Sequence, residues 1–330
     1  MFVVAASEGA YGGWAHQERG LGTLDISIVI VNWNVRELLR RCLSSVYRAT
    51  GASLALEVIV VDNASSDGSV TMVGEDFPQV RLIANEENLG FTRGNNQAIA
   101  QSRGRYVLLL NPDTEVVGDA LSTMVQYMDA HPQVGALGPQ LLNPDGSVQP
   151  SRRRFPTMAT AFLESTVLQQ WFPDNRVLRR YYIRDRGDDE ILEIDWVVGA
   201  CLLARRQAIE QAGLLDVEFF MYSEEMDWCH RFKERGWRVV YVPTAQVIHH
   251  EARSSEQVKP LQHVQFQRSK VLYFRKHHGR WQAEVLRLFL LATYVYQLLL
   301  ESLKWLVGHK RPLRAERVRA HWQVLRSGLR

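Results

Sequence analysis

Residues 106–115 read YVLLLNPDTE, and this stretch decides the fold of the chain. Its first five residues are apolar without alternation, a pattern typical of a strand that is covered on both faces. Pro112 ends the strand because proline has no backbone N–H to donate to a neighbouring strand. Asp113 and Glu115 follow directly, so the strand brings carboxylates to the sheet edge at which open α/β sheets bind ligands. On this stretch alone, a polar loop after a core strand is an equally good interpretation.

Two earlier strands end in the same way. Residues 25–31 (DISIVIV) are followed by Asn32-Trp33-Asn34, and residues 57–61 (EVIVV) by a polar turn that begins at Asp62. Helical segments lie between such strands, and this alternation predicts an α/β fold with a mostly parallel sheet flanked by helices. Amide and carboxylate side chains at the sheet edge could hydrogen-bond a base and a ribose. Each asparagine taken singly is more typical of a helix cap or a turn.

Composition sets the limits of the interpretation. The 330 residues suffice for one large α/β domain with an appendage. Hydrophobic residues make up 46% and charged residues 23%, as in an ordinary folded protein. The net charge of +3 gives no indication of nucleic acid as a partner. Three widely separated cysteines suit a reducing compartment. Residues 1–24 lack the pattern of a signal peptide and are expected to form a flexible leader.

Residues 88–96 (NLGFTRGNN) open a helix with two glycines and Arg93. Glycine lets backbone approach a ligand closely, and an arginine at a helix start could meet a phosphate. The pattern is neither Gly-x-Gly-x-x-Gly nor a Walker lysine loop, so the sequence does not indicate a nicotinamide or P-loop site.

A dense acidic cluster, Glu224-Glu225-Met226-Asp227, begins a predicted helix. Its aromatic flanks are residues 219–222 (FFMY) and Trp228. An apolar surround would raise the pKa of a carboxyl toward that of a general base. The alternative is that acids simply favour the positive end of the helix dipole. His249 ends a later strand and could join a carboxylate in binding a divalent ion, for which mixed oxygen and imidazole ligands favour Mg or Mn.

Seven motifs, taken in this order, resemble the family 2 inverting glycosyltransferases of the GT-A fold, particularly rhamnosyltransferase-like members of bacterial surface-polysaccharide pathways. The resemblance extends over residues 25–279. The motifs are IVIVNWN from Ile28, VVDNASSDGS from Val60, NLGFTRGNN from Asn88, LLNPDT from Leu109, NPDGS from Asn143, FMYSEE from Phe220, and His249-His250.

The resemblance implies a set of site residues. It implies that Asp62 contacts the base, that Asp113 and His249 hold Mg or Mn, and that Glu225 is the catalytic base, with Asp227 as the alternative. Asn111 stands where the family's Asp-x-Asp motif has its first aspartate, so the site carries one fewer negative charge. The implied nucleotide-sugar site comprises Val31, Asn32, Asn34, Asp62, Asn88, Gly90, Arg93, Asn96 and Asn111. The implied donor-sugar and acceptor region comprises Trp196, Gly199, Ala200 and Glu224.

The function implied is metal-dependent, inverting transfer of a sugar from a nucleoside-diphosphate sugar to a glycan or polyprenyl-diphosphate-linked acceptor. Subfamily likeness favours rhamnose as the sugar. One rival is a nucleotidyltransferase, which would release pyrophosphate instead of a nucleoside diphosphate. The other is a catalytically lapsed nucleotide-sugar-binding protein, an alternative that the missing aspartate at Asn111 keeps open.

Residues 280–330 are expected to form a helical, amphipathic and basic C-terminal region. Its cleanest apolar piece, Leu288–Leu300, is shorter than the roughly 20 residues that span a bilayer. Seven basic residues and one acid follow in residues 310–330. These features predict binding to an anionic membrane surface, with the protein in the cytoplasm at the inner face of the cell membrane. The alternative is a helix that packs on the catalytic domain or on a second copy. Arg152, Arg153 and Arg154 could meet an acceptor diphosphate, although an arginine run is more often a solvated face.

Overall fold

A computed structural model describes residues 24–49, 54–166, 168–172, 174–250, 259–308 and 310–330. The predicted leader, apart from Leu24, lies outside the described residues. The strands are β1 Ile26–Asn32, β2 Leu56–Asn63, β3 Arg81–Asn85, β4 Tyr106–Leu110, β5 Thr114–Val117, β6 Val134–Leu142, β7 Val148–Gln149, β8 Arg152–Arg153, β9 Leu192–Ile194, β10 Trp196–Val197, β11 Cys201–Arg205 and β12 Arg238–His249. The helices are α1 Arg36–Ala49, α2 Ser69–Asp76, α3 Gly90–Gln101, α4 Ala120–Ala130, α5 Met158–Glu164, α6 Leu168–Trp171, α7 Arg176–Tyr181, α8 Arg206–Ala212, α9 Glu224–Glu234, α10 Lys259–His277, α11 Arg280–Leu306 and α12 Arg311–Ser327.

One large sheet organises the described residues, with the strand order β3-β2-β1-β4-β11-β6-β12-β5. Strands β3, β2, β1 and β4 are parallel neighbours, as are β6 and β12. Strand β11 lies antiparallel between β4 and β6. The predicted mostly parallel α/β sheet is therefore confirmed. Because β1, β2 and β4 run in the same direction, their carboxyl ends meet at one edge, where the predicted site residues lie.

Alternate residues of the central strands point into two separate apolar layers, one on each face of the sheet. Ile28 and Ile30 of β1 join one layer with the buried stripes of α1, α2 and α4. Val29 and Val31 join the other layer with α3, α8 and α9. Both faces of these strands are covered, which explains why the sequence is apolar without alternation.

Two predicted elements differ from the structure. The sequence favours separate strands at residues 237–242 and 245–248, but β12 runs through both, with a register shift opposite β6 between Val242 and Gln246. Pro243 cannot donate a hydrogen bond, so pairing is interrupted there without ending the strand. A single helix expected over residues 157–171 is instead divided into α5 and α6.

Helices α10, α11 and α12 form a third apolar core together with α5 and the start of α9. Tyr273 of α10 and Leu286 and Leu290 of α11 are fully or almost fully buried in this core. Helix α11 has 27 residues, more than the apolar piece predicted from the sequence. Its length and composition would allow it to cross a membrane, so the expectation that it is too short is wrong. The helix continues through Gln297 and Glu301, although these polar residues interrupt its apolar run.

Candidate active site

The ends of β1 and β2 build one half of the site around Asp62, which is 1% exposed. The Asn32 amide donates to Asp62 Oδ2 at 2.7 Å, and the Ser65 backbone N–H donates to Asp62 Oδ1 at 2.8 Å. The Ser65 hydroxyl accepts from the Asn34 backbone N–H at 2.9 Å. Asn32 Oδ1 is buried and has no hydrogen-bond partner among the described residues. The two loops thus hold Asp62 in place and leave a buried acceptor for a ligand.

The start of α3 supports this half of the site. Asn88 Oδ1 accepts from the Gly90 backbone N–H at 2.9 Å, and the Asn63 amide donates to the Gly90 carbonyl at 3.1 Å. Gly90 has φ +84°, and a Cβ there would lie 2.7 Å from the Phe220 ring. Phe91 N–H donates to the Phe220 carbonyl at 3.1 Å. Gly90 therefore lets the nucleotide-side loop contact the segment that leads to the acidic cluster.

Three further residues predicted on the nucleotide side have different surroundings. Asn96 is buried and makes two hydrogen bonds to the backbone of Leu215, its amide donating at 2.8 Å and its Oδ1 accepting at 3.1 Å. Asn96 therefore anchors a distant loop. Val31 is buried beside Gly94, whose absent Cβ would lie 3.0 Å from the valine Cγ1. Arg93 is exposed on the first turn of α3, where an anionic ligand could reach it.

A candidate metal centre lies where β4 and β12 end. Asp113 Oδ1 is buried, has no hydrogen-bond partner among the described residues, and lies 3.4 Å from His249 Nε2. His249 Nδ1 lies 2.8 Å from Gln149 Oε1, which can only accept, so this nitrogen carries the proton. The lone pair of His249 is then on Nε2, beside Asp113. Asn111 Oδ1 is likewise buried with no partner among the described residues.

These donors fit a divalent cation. Two buried oxygen atoms without partners would each be costly unless a ligand satisfied them. A histidine whose second nitrogen donates to an oxygen is the usual arrangement of a metal-bound imidazole. Oxygen donors with one imidazole favour Mg or Mn over a closed zinc site. The residues present therefore fit the cofactor that the sequence predicts.

A second group of potential ligands, His230, Glu234 and His277, brings its donor atoms within 4.8 Å of one another. The two imidazole rings are stacked, with centroids 3.9 Å apart and planes 19° from parallel. Lone pairs lie in the ring plane, so nearly parallel rings cannot direct them at one ion. Burial and the neighbouring His277 lower the pKa of His230 to about 4. The His230 ring is therefore neutral at pH 7 and can stack on the His277 ring.

Glu225 lies in the first turn of α9, directly against the loop between β10 and β11. A Cβ on Gly199 would lie 3.4 Å from the Glu225 Cγ, and Glu225 Oε2 is buried with no hydrogen-bond partner among the described residues. Burial raises the pKa of Glu225, and burial together with Glu225 raises the pKa of Glu224 further. The adjacent Ala200 carbonyl accepts from the Asn111 backbone N–H at 2.9 Å. Backbone contacts therefore connect the carboxylate to the stretch that carries Asp113.

Asp227 has a different environment. It is fully buried, and it accepts from Arg231 Nε at 2.8 Å, Lys276 Nζ at 2.7 Å and His277 Nε2 at 2.8 Å. These partners hold its pKa well below the usual range in spite of burial. A carboxylate enclosed by cations has little affinity for a proton, so the geometry favours Glu225 over Asp227 as a base.

The remaining predicted residues lie close to the Gly199 loop. Trp196 is half-buried on β10, and its indole N–H donates to the Arg154 carbonyl at 2.9 Å. Arg152 is buried and pairs with Asp188, so it belongs to the framework. Arg154 lies 3.7 Å from Asp195. Among the described residues no acid forms an ion pair with Arg153, whose guanidinium stacks on the Tyr182 ring at 4.6 Å.

Comparison with known proteins decides the family. The family model "Glycosyl transferase family 2" matches residues 27–211. This chain belongs to glycosyltransferase family 2. The N-acetylglucosaminyl-diphospho-decaprenol L-rhamnosyltransferase of Mycobacterium tuberculosis is 32% identical over 271 residues, which cover 78% of this chain and 87% of that protein. The low-salt glycan biosynthesis hexosyltransferase Agl10 of Haloferax volcanii is 26% identical over 76% of this chain and 72% of its own length.

Solved structures share the fold. The mannosyltransferase PcManGT of Pyrobaculum calidifontis, in complex with GDP-Man and Mn²⁺, matches 97% of this glycosyltransferase and 88% of its own chain with a TM-score of 0.54 and 16% identity. GalNAc-T7 with UDP, GalNAc and Mn²⁺ matches 69% of this chain and 44% of its own, with a TM-score of 0.53 and 16% identity. The predicted GT-A fold is confirmed, and family membership disfavours the nucleotidyltransferase alternative.

Sequence reasoning missed Gln149, Ser65 and the hydrogen-bond donors around Asp227. Gln149 follows the NPDGS turn and belongs to none of the seven motifs. Ser65 belongs to the VVDNASSDGS motif, and that motif is the signal that could have identified it. Lys276 and His277 are about fifty residues from Asp227 in sequence, so only the packing of α10 on α9 reveals the contact.

Proposed function

We propose that this glycosyltransferase transfers a sugar, rhamnose in the first instance, from a nucleoside-diphosphate sugar to a hydroxyl of a lipid-linked glycan acceptor. The observation that carries the proposal is the pairing of two sites on one sheet edge: a base with one buried oxygen, Glu225, beside Gly199, and the Asp113–His249 cation site. The curated M. tuberculosis relative, which is named for a rhamnosyltransferase and a diphospho-decaprenol acceptor, supports this choice of sugar and acceptor.

In the proposed reaction, Glu225 accepts the proton of the acceptor hydroxyl as that oxygen attacks the anomeric carbon of the donor. The bond from the anomeric carbon to the diphosphate oxygen breaks in the same step, so the configuration is inverted. Asp62, Asn32 and Asn34 hold the nucleoside, and Asn88, Gly90 and Arg93 lie on the diphosphate side. Asp113 and His249, with Asn111, would hold Mg or Mn, which supplies charge to offset the leaving diphosphate.

We also propose that the enzyme works at the cytoplasmic face of the membrane, held there by α11 and α12. An apolar stripe on α11 is solvent-exposed at Leu288, Val295, Leu299, Leu303 and Leu306. Helix α12 is rich in arginine. An exposed apolar face beside basic residues is typical of binding to an anionic membrane surface. For the domains, we propose a catalytic unit over residues 25–279 and a membrane-binding region over residues 280–330.

A product assay tests the proposal. The purified enzyme would be incubated with Mn²⁺, a polyprenyl-diphospho-N-acetylglucosamine acceptor and each of a panel of nucleoside-diphosphate sugars, with products identified by mass spectrometry. The expected result is acceptor enlarged by one deoxyhexose, with a free nucleoside diphosphate, from the deoxythymidine-diphosphate rhamnose reaction. Transfer of only another sugar would refute the choice of rhamnose. Donor binding without turnover across the panel would favour the lapsed binding protein, and release of pyrophosphate would favour a nucleotidyltransferase.

A further inference from the structure

The described part of the chain contains an apolar groove on α11 that the catalytic site does not use. It is a cavity of about 340 Å³ lined by Phe289, Ala292, Thr293, Tyr296, Gln297 and Leu300, with Thr166 from the turn after α5. Its wall is almost wholly apolar. The Thr293 hydroxyl donates to the Phe289 carbonyl at 3.0 Å and the Thr166 hydroxyl to the Leu163 carbonyl at 3.2 Å, so both are already satisfied. The groove thus suits a hydrocarbon and not a sugar or a nucleotide.

The groove opens beside the exposed apolar stripe of α11. Its lining residues follow the helical spacing 289, 293, 296 and 300, and the stripe follows 288, 295, 299 and 303, so the two faces adjoin. A hydrocarbon chain could therefore pass from a membrane at the stripe into the groove without crossing polar surface. A volume near the lower end of the range for ligand pockets, about 300–1,000 Å³, accommodates a short segment of such a chain.

Side-chain contacts, joined by the chain segments 162–164 and 222–225, lead from the groove toward the candidate base. The Phe162 ring packs edge-on against Phe289, with centroids 4.5 Å apart. Glu164, two residues further on, accepts from Lys270 Nζ at 3.2 Å. Lys270 Nζ also lies 5.0 Å from the centroid of the Phe266 ring. Phe266 contacts the Tyr222 ring at 5.6 Å, and Tyr222 is three residues before Glu225.

Positive charge lies along this route. Glu164 also accepts from the Tyr182 hydroxyl at 2.9 Å. The Arg153 guanidinium lies over the ring of the same tyrosine, 4.6 Å from its centroid. Lys270 and Arg153 are thus joined through Glu164 and Tyr182, between the groove and the Gly199 loop. Glu164 pairs with Lys270 and neutralises it, so Arg153 supplies the positive charge that matches a diphosphate with a hydrocarbon on one side and a sugar on the other.

We propose that this groove binds the first isoprene units of the acceptor's lipid, with Arg153 facing its diphosphate. The inference rests on the proposed function, since it assumes a polyprenyl-diphosphate-linked acceptor. It adds the site that distinguishes a lipid-linked acceptor from a soluble one with the same sugar.

The test uses two acceptors that share the diphospho-N-acetylglucosamine head, one with a long polyprenyl chain and a short one with a methyl group in place of the lipid. Ala292→Trp fills the groove at an exposed position that tolerates the larger side chain, and Val217→Trp, at an exposed apolar residue outside α11, is the matched control. The expected result for Ala292→Trp is a KM about tenfold higher for the long acceptor, with an unchanged KM for the donor and a smaller change for the short acceptor. Val217→Trp should leave all three values unchanged. Equal changes for both acceptors, or none, would overturn the proposal.

A binding experiment separates this inference from the function itself. Farnesyl diphosphate carrying a benzophenone would be photocrosslinked to the full-length wild-type enzyme and the labelled peptide identified by mass spectrometry. Labelling within residues 289–300, reduced in Ala292→Trp and retained in Val217→Trp, supports the groove even if no sugar transfer is found. Labelling along the exposed stripe alone, or equal labelling of both variants, overturns the groove even if rhamnose transfer is confirmed.

Discussion

The Glu225 carboxyl determines how the rate should depend on pH. Burial raises its pKa, and a general base must be ionised to accept a proton. We therefore expect kcat to fall as pH is lowered through this raised pKa, at a pH above the value of about 4.3 for an ordinary glutamate. A pH–rate profile at saturating donor and acceptor measures it. An acid limb at the ordinary value would show that the base is an exposed carboxylate.

Gln149 should act on metal affinity through His249. Replacement of Gln149 by Leu removes the oxygen that accepts from His249 Nδ1, so the imidazole loses its fixed tautomer and orientation. We expect Mn²⁺ affinity to fall by about 10- to 100-fold in titration calorimetry with a nucleoside diphosphate present. Gln149→Glu keeps an acceptor at this position and should restore most of the affinity. Equal Mn²⁺ affinities in Gln149→Leu and the wild type would show that Gln149 does not support the metal site.

Asp227 should contribute stability, and its contribution should depend on pH. Because the folded-state pKa is depressed, this contribution is present above the unfolded value of about 3.9 and is lost as pH falls below it. Asp227→Asn leaves Arg231 and Lys276 without their buried partner and should cost about 3–5 kcal/mol of unfolding free energy at pH 7. Urea unfolding should show this difference shrinking below pH 4. A constant difference from pH 7 to pH 3 would contradict the ion-pair explanation.

At the scale of elements, the junction between α3 and the segment before α9 should be sensitive to one added methyl group. Gly90 and Gly146 both have φ +84°, so an alanine is strained at either position. The added methyl group of Gly90→Ala would also clash with the Phe220 ring, whereas that of Gly146→Ala would point into open space. We expect a loss of about 1–2 kcal/mol for Gly146→Ala and about 2–4 kcal/mol for Gly90→Ala, measured by urea unfolding. Equal losses would show that Phe220 yields to the methyl group and that the close approach is not required.

The sequence predicts elements and strand ends better than it predicts contacts between them. Buried strands that end in Asn or Asp correctly place Asn32, Asp62 and Asp113 at one sheet edge, since parallel strands share that edge. The choice between Glu225 and Asp227 could not be made in this way. It depends on Lys276 and His277 of α10, and helical periodicity does not specify which helices pack together. The sequence predicts an apolar piece too short to span a membrane because polar residues interrupt the longer apolar run, whereas α11 continues through them.

For the whole molecule, the exposed stripe of α11 and the basic α12 should act together on membranes. We expect the enzyme to sediment with phosphatidylglycerol vesicles and less with phosphatidylcholine vesicles, and the binding to weaken as salt is raised. The double substitution Leu299→Glu and Leu303→Glu should weaken this binding more than about tenfold. Val217→Glu changes an exposed apolar residue outside α11 and serves as the control. Equal binding by both variants would show that α11 does not face the membrane.

The central claim is that Glu225 is the base of a sugar transfer, and single-turnover kinetics of Glu225→Gln test it most directly. Glu218→Gln is the matched control, since Glu218 is exposed and pairs with Arg275 on the surface. With deoxythymidine-diphosphate rhamnose, Mn²⁺ and a polyprenyl-diphosphate acceptor, we predict that Glu225→Gln lowers the rate by about 100- to 10,000-fold. Donor affinity should be unchanged in both variants, and Glu218→Gln should retain the wild-type rate. Transfer by Glu225→Gln at the wild-type rate would contradict the account.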